Sequence, residues 1–82
     1  MVTDKIKELL ARQLGITVDS ISDDSMIIND LRADSLDIVE IVMAVEETFN
    51  IEIEDNEYAN ADTVEKLVQV VTTKIEQKNN ND

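Results

Sequence analysis

The chain has 82 residues, 43% of them hydrophobic, enough for one small core, and its aromatic side chains are Phe49 and Tyr58 alone. A formal charge of −12 argues against nucleic acid, whose phosphates need Lys and Arg, and against an acidic membrane surface, which would repel the chain. The lack of Cys and His excludes disulfides, thiolate catalysis, Cys/His zinc sites and histidine general-base chemistry.

With no proline and Gly15 as the sole glycine, the composition favours helices, since strand-and-turn folds need glycine at their tight turns. The first helix is predicted to open at Thr3 or Asp4, both good N-caps, and to turn Ile6, Leu9, Leu10 and Leu14 inward. Gly15 supplies the left-handed residue that ends it. Residues 16–34 then make a long connection rich in turn formers, with Ser20, Ser22, Asp23, Asp24 and Ser25 in its middle. Ile21, Met26, Ile27, Ile28 and Leu31 are too apolar for a free loop and are expected to pin it, ordered, onto the core.

A second helix is predicted from Ser35 to Phe49. At ~100° per residue, Ile38, Ile41, Val42, Val45 and Phe49 share an arc of about 100°, a core stripe. Leu36, Val39, Glu40, Met43 and Glu47 share the opposite arc, flanked by Asp37 and Glu46. A surface helix ordinarily carries polar residues alone on that side. The mixture reads as a docking face, with apolar contacts for affinity and acids for steering a partner that bears a basic patch.

Asn50 ends that helix, and Ile51–Glu54 reads as an extended linker, there being no second strand to pair with. One or two helical turns are expected around Tyr58. The last helix is predicted to open at Asp62 or Thr63, with Glu65 placed for a capping box, and to bury Val64, Leu67, Val68, Val71 and Ile75. Residues 77–82 read as a disordered polar tail. The expected fold is all-α: a small four-helix bundle, three main helices and a short one, with a long ordered loop between the first two. No stretch approaches the ~18 apolar residues of a membrane span, and a cytoplasmic monomer is expected.

The start of the second helix reads Asp30-Leu31-Arg32-Ala33-Asp34-Ser35-Leu36-Asp37, continuing Ile38-Val39-Glu40-Ile41-Val42-Met43-Ala44-Val45-Glu46-Glu47. This block resembles the acyl carrier protein family, whose pattern is D-L-G-A-D-S-L-D followed by an acidic amphipathic helix. The likeness runs from the first helix to Ile75, which makes residues 1–76 the carrier domain. It implies a serine, here Ser35, esterified with 4'-phosphopantetheine by a phosphopantetheinyl transferase using coenzyme A. It also implies that the chain is not an enzyme. It would carry acyl groups as thioesters on the arm, presenting them to fatty acid synthesis enzymes with basic patches.

The position suits that role. Asp34 can cap the helix, leaving Ser35 in the first turn, where a phosphate meets free backbone N–H groups and the positive end of the helix dipole. Asp34, Ser35 and Leu36 therefore make up the expected attachment site. By resemblance Leu36, Asp37, Val39, Glu40, Met43, Glu46 and Glu47 dock partners, and Ile41, Val45, Ile53 and Ala59 form the acyl-chain pocket. Three departures stand out: Arg32 where the family has Gly, Ile27 where Phe is frequent, and Glu54 where Pro is frequent. Polyketide, peptidyl and D-alanyl carriers share the serine, and an unmodified helical adaptor would share the docking stripe.

Overall fold

The computed structural model describes residues 2–80. Four α-helices follow in order: α1 (Val2–Leu14), α2 (Ser35–Phe49), α3 (Asp55–Ala59) and α4 (Val64–Asn80), with a single 3-10 turn at Val18–Ser20. α1 starts a residue earlier than Thr3, which leaves Asp4 in the first turn, where its charge favours the positive end of the helix. It stops at Gly15, whose φ of +67° is open to glycine at no steric cost.

α1 packs on α2 and α4, and those two helices close on each other. Ile6 and Leu10 from α1, Val45 from α2, and Val64 and Val71 from α4 are the largest side chains fully removed from water. Each such aliphatic side chain contributes roughly 1.5–3 kcal/mol of transfer free energy. The predicted stripe of α2 is realised: Ile41, Val42 and Val45 are buried, with Ile38 and Phe49 half-buried beside them.

The connection between α1 and α2 lacks regular structure over most of its length, yet it is firmly anchored. Ile21, Ile27 and Ala33 are buried. The Ile27 N–H donates to Asp62 O at 3.0 Å, and Met26 forms an isolated antiparallel bridge with Thr63. In return, the first N–H groups of α4 donate back to the loop: Val64 to Ser25 O at 3.0 Å and Glu65 to Asp23 O at 2.8 Å. Buried Ser25 accepts the Ser22 N–H on its hydroxyl at 3.0 Å. Lys7 on α1 adds an ion pair to Asp23 at 2.9 Å.

Four local expectations need correction. Ile28 does not anchor the loop; it is 59% exposed, standing on a turn in which the Asp30 and Leu31 N–H groups both donate to Met26 O and which buries Ile27 in its place. The α4 cap comes from Thr63, whose hydroxyl accepts the Lys66 N–H at 3.1 Å. Asp62 instead pairs with Lys66 at 3.1 Å, and the Glu65 N–H is taken by the loop. α4 also runs on through Asn80, so residues 77–80 are helical where a disordered tail was expected. Gln and Lys are good helix formers, and Lys78 Nζ donates to Asn50 O at 2.7 Å, which holds the last turn to the end of α2. Asn81 and Asp82 lie outside the described residues.

Candidate functional site

Ser35 is the first residue of α2, and Asp34 is its N-cap. Asp34 Oδ1 accepts the Asp37 N–H at 2.8 Å, and Asp37 Oδ2 accepts the Asp34 N–H at 3.1 Å, a reciprocal capping box. The Ile38 N–H is taken by Asp34 O. Among the described residues nothing accepts the N–H groups of Ser35 and Leu36. An exposed hydroxyl thus stands beside two open backbone donors at the positive end of a helix of 15 residues. That arrangement suits a phosphodiester on the serine oxygen.

The residue that leads the chain into this turn is strained. Arg32 has φ +64°, the left-handed region, which costs an L-residue about 1–2 kcal/mol. Its acidic neighbours are committed elsewhere: Asp30 Oδ2 accepts the Met26 N–H at 2.8 Å, and Asp34 caps α2. Arg32 is exposed and makes no ion pair among the described residues.

Beside Ser35 lies a groove of about 400 Å³. The loop contributes Ile27, Ile28 and Ala33 to its wall, α2 contributes Ile38 and Val39, and α3 contributes Tyr58 and Ala59. Asp34, Ala61 and Asp62 complete the rim. The α3 wall is the lightly held one. It packs chiefly on α4 and contains no buried residue. Glu54 and Glu57 cap it reciprocally, and Glu57 reaches Lys74 of α4 at 2.9 Å. The Glu54 N–H, and then Lys74, hold the Glu57 carboxyl below its ordinary pKa. The hydrogen bond that Lys74 donates to Glu57 in turn raises the pKa of its ammonium.

The mixed apolar and acidic stripe of α2 is exposed where the pattern placed it, except at its two flanking acids. Leu36, Val39 and Met43 are 66%, 46% and 61% exposed, and Glu40 and Glu47 are exposed as well. Glu40 accepts the side-chain amide of Gln13 on α1. Asp37 and Glu46 are half-buried and do structural work. Asp37 completes the capping box, and Glu46 Oε2 accepts the Ile53 N–H at 2.8 Å, fixing the linker after α2.

Of the four residues expected to form an acyl pocket, three share the core cluster and one stands outside it. Ile41, Val45 and Ile53 are closed into the core, while Ala59 is exposed and is the one member that lines the groove. Helical spacing finds side chains that face the core, whereas a groove is walled by residues that only partly do. Ile27, Ile28, Ala33 and Tyr58 went unassigned to it for that reason. The surplus apolar residue at Ile28 was the available signal.

Comparison with known proteins covers most of the chain. Residues 4–71 match the family model described as a phosphopantetheine attachment site. The chain is 46% identical over 70 residues to an acyl carrier protein of Buchnera aphidicola, covering 85% of this chain and 90% of that one. It is 44% identical over 77 residues to an acyl carrier protein of Clostridium acetobutylicum, covering 94% of this chain and all (100%) of the other. The solved structure of the acyl carrier protein from Enterococcus faecalis superposes with a TM-score of 0.76 at 29% identity, over 89% of this chain and 92% of that one.

Proposed function

The chain belongs to the acyl carrier protein family, and from that premise we propose that Ser35 is the residue that takes its 4'-phosphopantetheine arm. The arm, once bound, supplies a thiol that holds acyl groups as thioesters. The chain's own part is to hold the attachment point and to present the arm to other proteins. Its lack of His and Cys fits a carrier whose chemistry is performed by its partners.

The observation that carries the assignment is the exposed Ser35 hydroxyl beside the open N–H groups of Ser35 and Leu36. Asp34 keeps the turn rigid without occupying those donors. The apolar groove next to the serine gives a carried chain a surface to lie on. Residues 1–76 make up the carrier unit, in keeping with the family match over 4–71.

Incubation with coenzyme A and a phosphopantetheinyl transferase tests the site. The wild type is expected to gain the mass of one arm, and Ser35→Ala none. A mass gain retained by Ser35→Ala moves the attachment elsewhere.

Partner recognition falls to the exposed stripe of α2, with Leu36, Val39 and Met43 making apolar contact and Glu40 and Glu47 steering basic patches. Fatty acid synthesis enzymes and the transferase are the partners this reading assigns. Glu40→Lys is expected to slow transfer by such an enzyme several-fold at low salt and to flatten its salt dependence. Equal rates and equal salt slopes for the two proteins would remove the stripe from recognition.

A further inference from the structure

We propose that Arg32 is a positioning residue for the arm, its guanidinium holding the anionic phosphodiester at Ser35. The inference rests on the assignment of Ser35. Three observations carry it. Arg32 is the only basic residue between Arg12 and Lys66, and it stands three positions before Ser35 in the turn that leads into α2. It is held at φ +64°, a conformation that an Arg side chain makes worse and glycine would relieve. Nothing within the chain compensates. Among the described residues Arg32 has no ion pair, and the carboxylates of Asp30 and Asp34, its nearest acidic neighbours in sequence, accept backbone N–H groups instead.

A free cation at this point sits in a surround that is otherwise hostile to phosphate. Asp34 and Asp37 place two carboxylates beside the serine. The two open N–H groups beside Ser35 answer part of the phosphate's charge, and a guanidinium approaching from the loop side answers the rest. The arm is then held at its root, directed along the groove between Ile28 and Ala59 and away from the acidic face of α2.

The test compares apo protein with protein carrying the unacylated arm, in wild type, Arg32→Gln and Arg32→Lys. Intact mass first establishes loading. Glutamine keeps the backbone strain and a polar, though shorter, side chain while removing the charge; lysine restores the charge. Loading is expected to raise the wild-type Tm by up to about 4–8 °C more than it raises that of Arg32→Gln, the upper scale of an exposed ion pair in a domain of this size. Arg32→Lys is expected to recover part of the difference, and added salt to shrink it. The phosphorus resonance of the loaded wild type is expected to move in Arg32→Gln and to return toward its place in Arg32→Lys.

Equal loading shifts with an unmoved phosphorus signal overturn the proposal and leave Ser35 untouched. So does an Arg32→Gln that weakens binding of a partner enzyme to the apo protein without altering the loading shift, which assigns the cation to an acid on the partner. A wild type that gains no mass overturns both readings together.

Discussion

Two of the groove's three walls, the loop and α3, invert the usual ranking of helix and loop. The segment between α1 and α2 has almost no regular structure, yet it buries Ile21, Ile27 and Ala33 and exchanges backbone hydrogen bonds with the start of α4. α3 is a regular helix, yet it buries nothing and is fastened to α4 through the Glu57–Lys74 pair. Firmness follows from what a segment buries and bonds at long range, and only weakly from its secondary structure.

Substitution in the two walls gives the largest contrast. Ile27→Ala is expected to lower the unfolding free energy by about 2–5 kcal/mol in urea melts. Tyr58→Ala, from a half-buried site on α3, is expected to cost about 1 kcal/mol. Because the domain is small and marginal, Ile27→Val, at about 0.5–1.5 kcal/mol, keeps the first measurement accessible if the alanine variant does not fold. Equal losses at positions 27 and 58 would erase the distinction between the walls.

Hydrogen exchange sharpens it at smaller scale. Glu57→Gln is expected to speed exchange of the α3 amides while leaving the amides of Ile27 and Ala33 unchanged. Parallel acceleration in both walls would mean that they open as one unit. The smallest effect is on pH dependence. The folded pKa of Glu57 is lowered, so its stabilisation is fully present above the ordinary glutamate value and lost as pH falls through the lowered one. The pKa of Lys74 is raised, so its share is fully present below the ordinary lysine value and lost as pH rises through the raised one. The Tm difference between wild type and Glu57→Gln is therefore expected to be flat through neutral pH and to close at acid pH. A difference that persists at low pH would mean that the carboxylate's charge is not what fastens α3.

Local pattern revealed what local forces decide. The stripe of α2, the stop at Gly15, the Asp34 cap and the two turns around Tyr58 each depend on residues a few positions apart, and each is present. The misreadings lie where distant segments meet. Glu65 looked like half of a capping box until Asp23 O claimed its N–H. Glu46 proved to have a second partner in the Ile53 N–H, and Gln77 and Lys78 looked like tail until Asn50 accepted a bond from α4. The place of Ser35 in the first turn of α2 was legible because the Asp34 cap is local, while its role was read from the resemblance of the whole block Asp30–Asp37. The groove was not, because its walls come from three separate parts of the chain.

The reciprocal bonding of Asp23, Ser25 and Ile27 with Asp62, Val64 and Glu65 has a consequence for how the molecule comes into being. On the ribosome, the segment that delivers the serine emerges well before the residues that will lock it. Until α4 has been translated, the nascent chain presents Ser35 on a turn that has no fixed approach. The order of synthesis thus leaves the approach to Ser35 unfixed until the whole bundle can close.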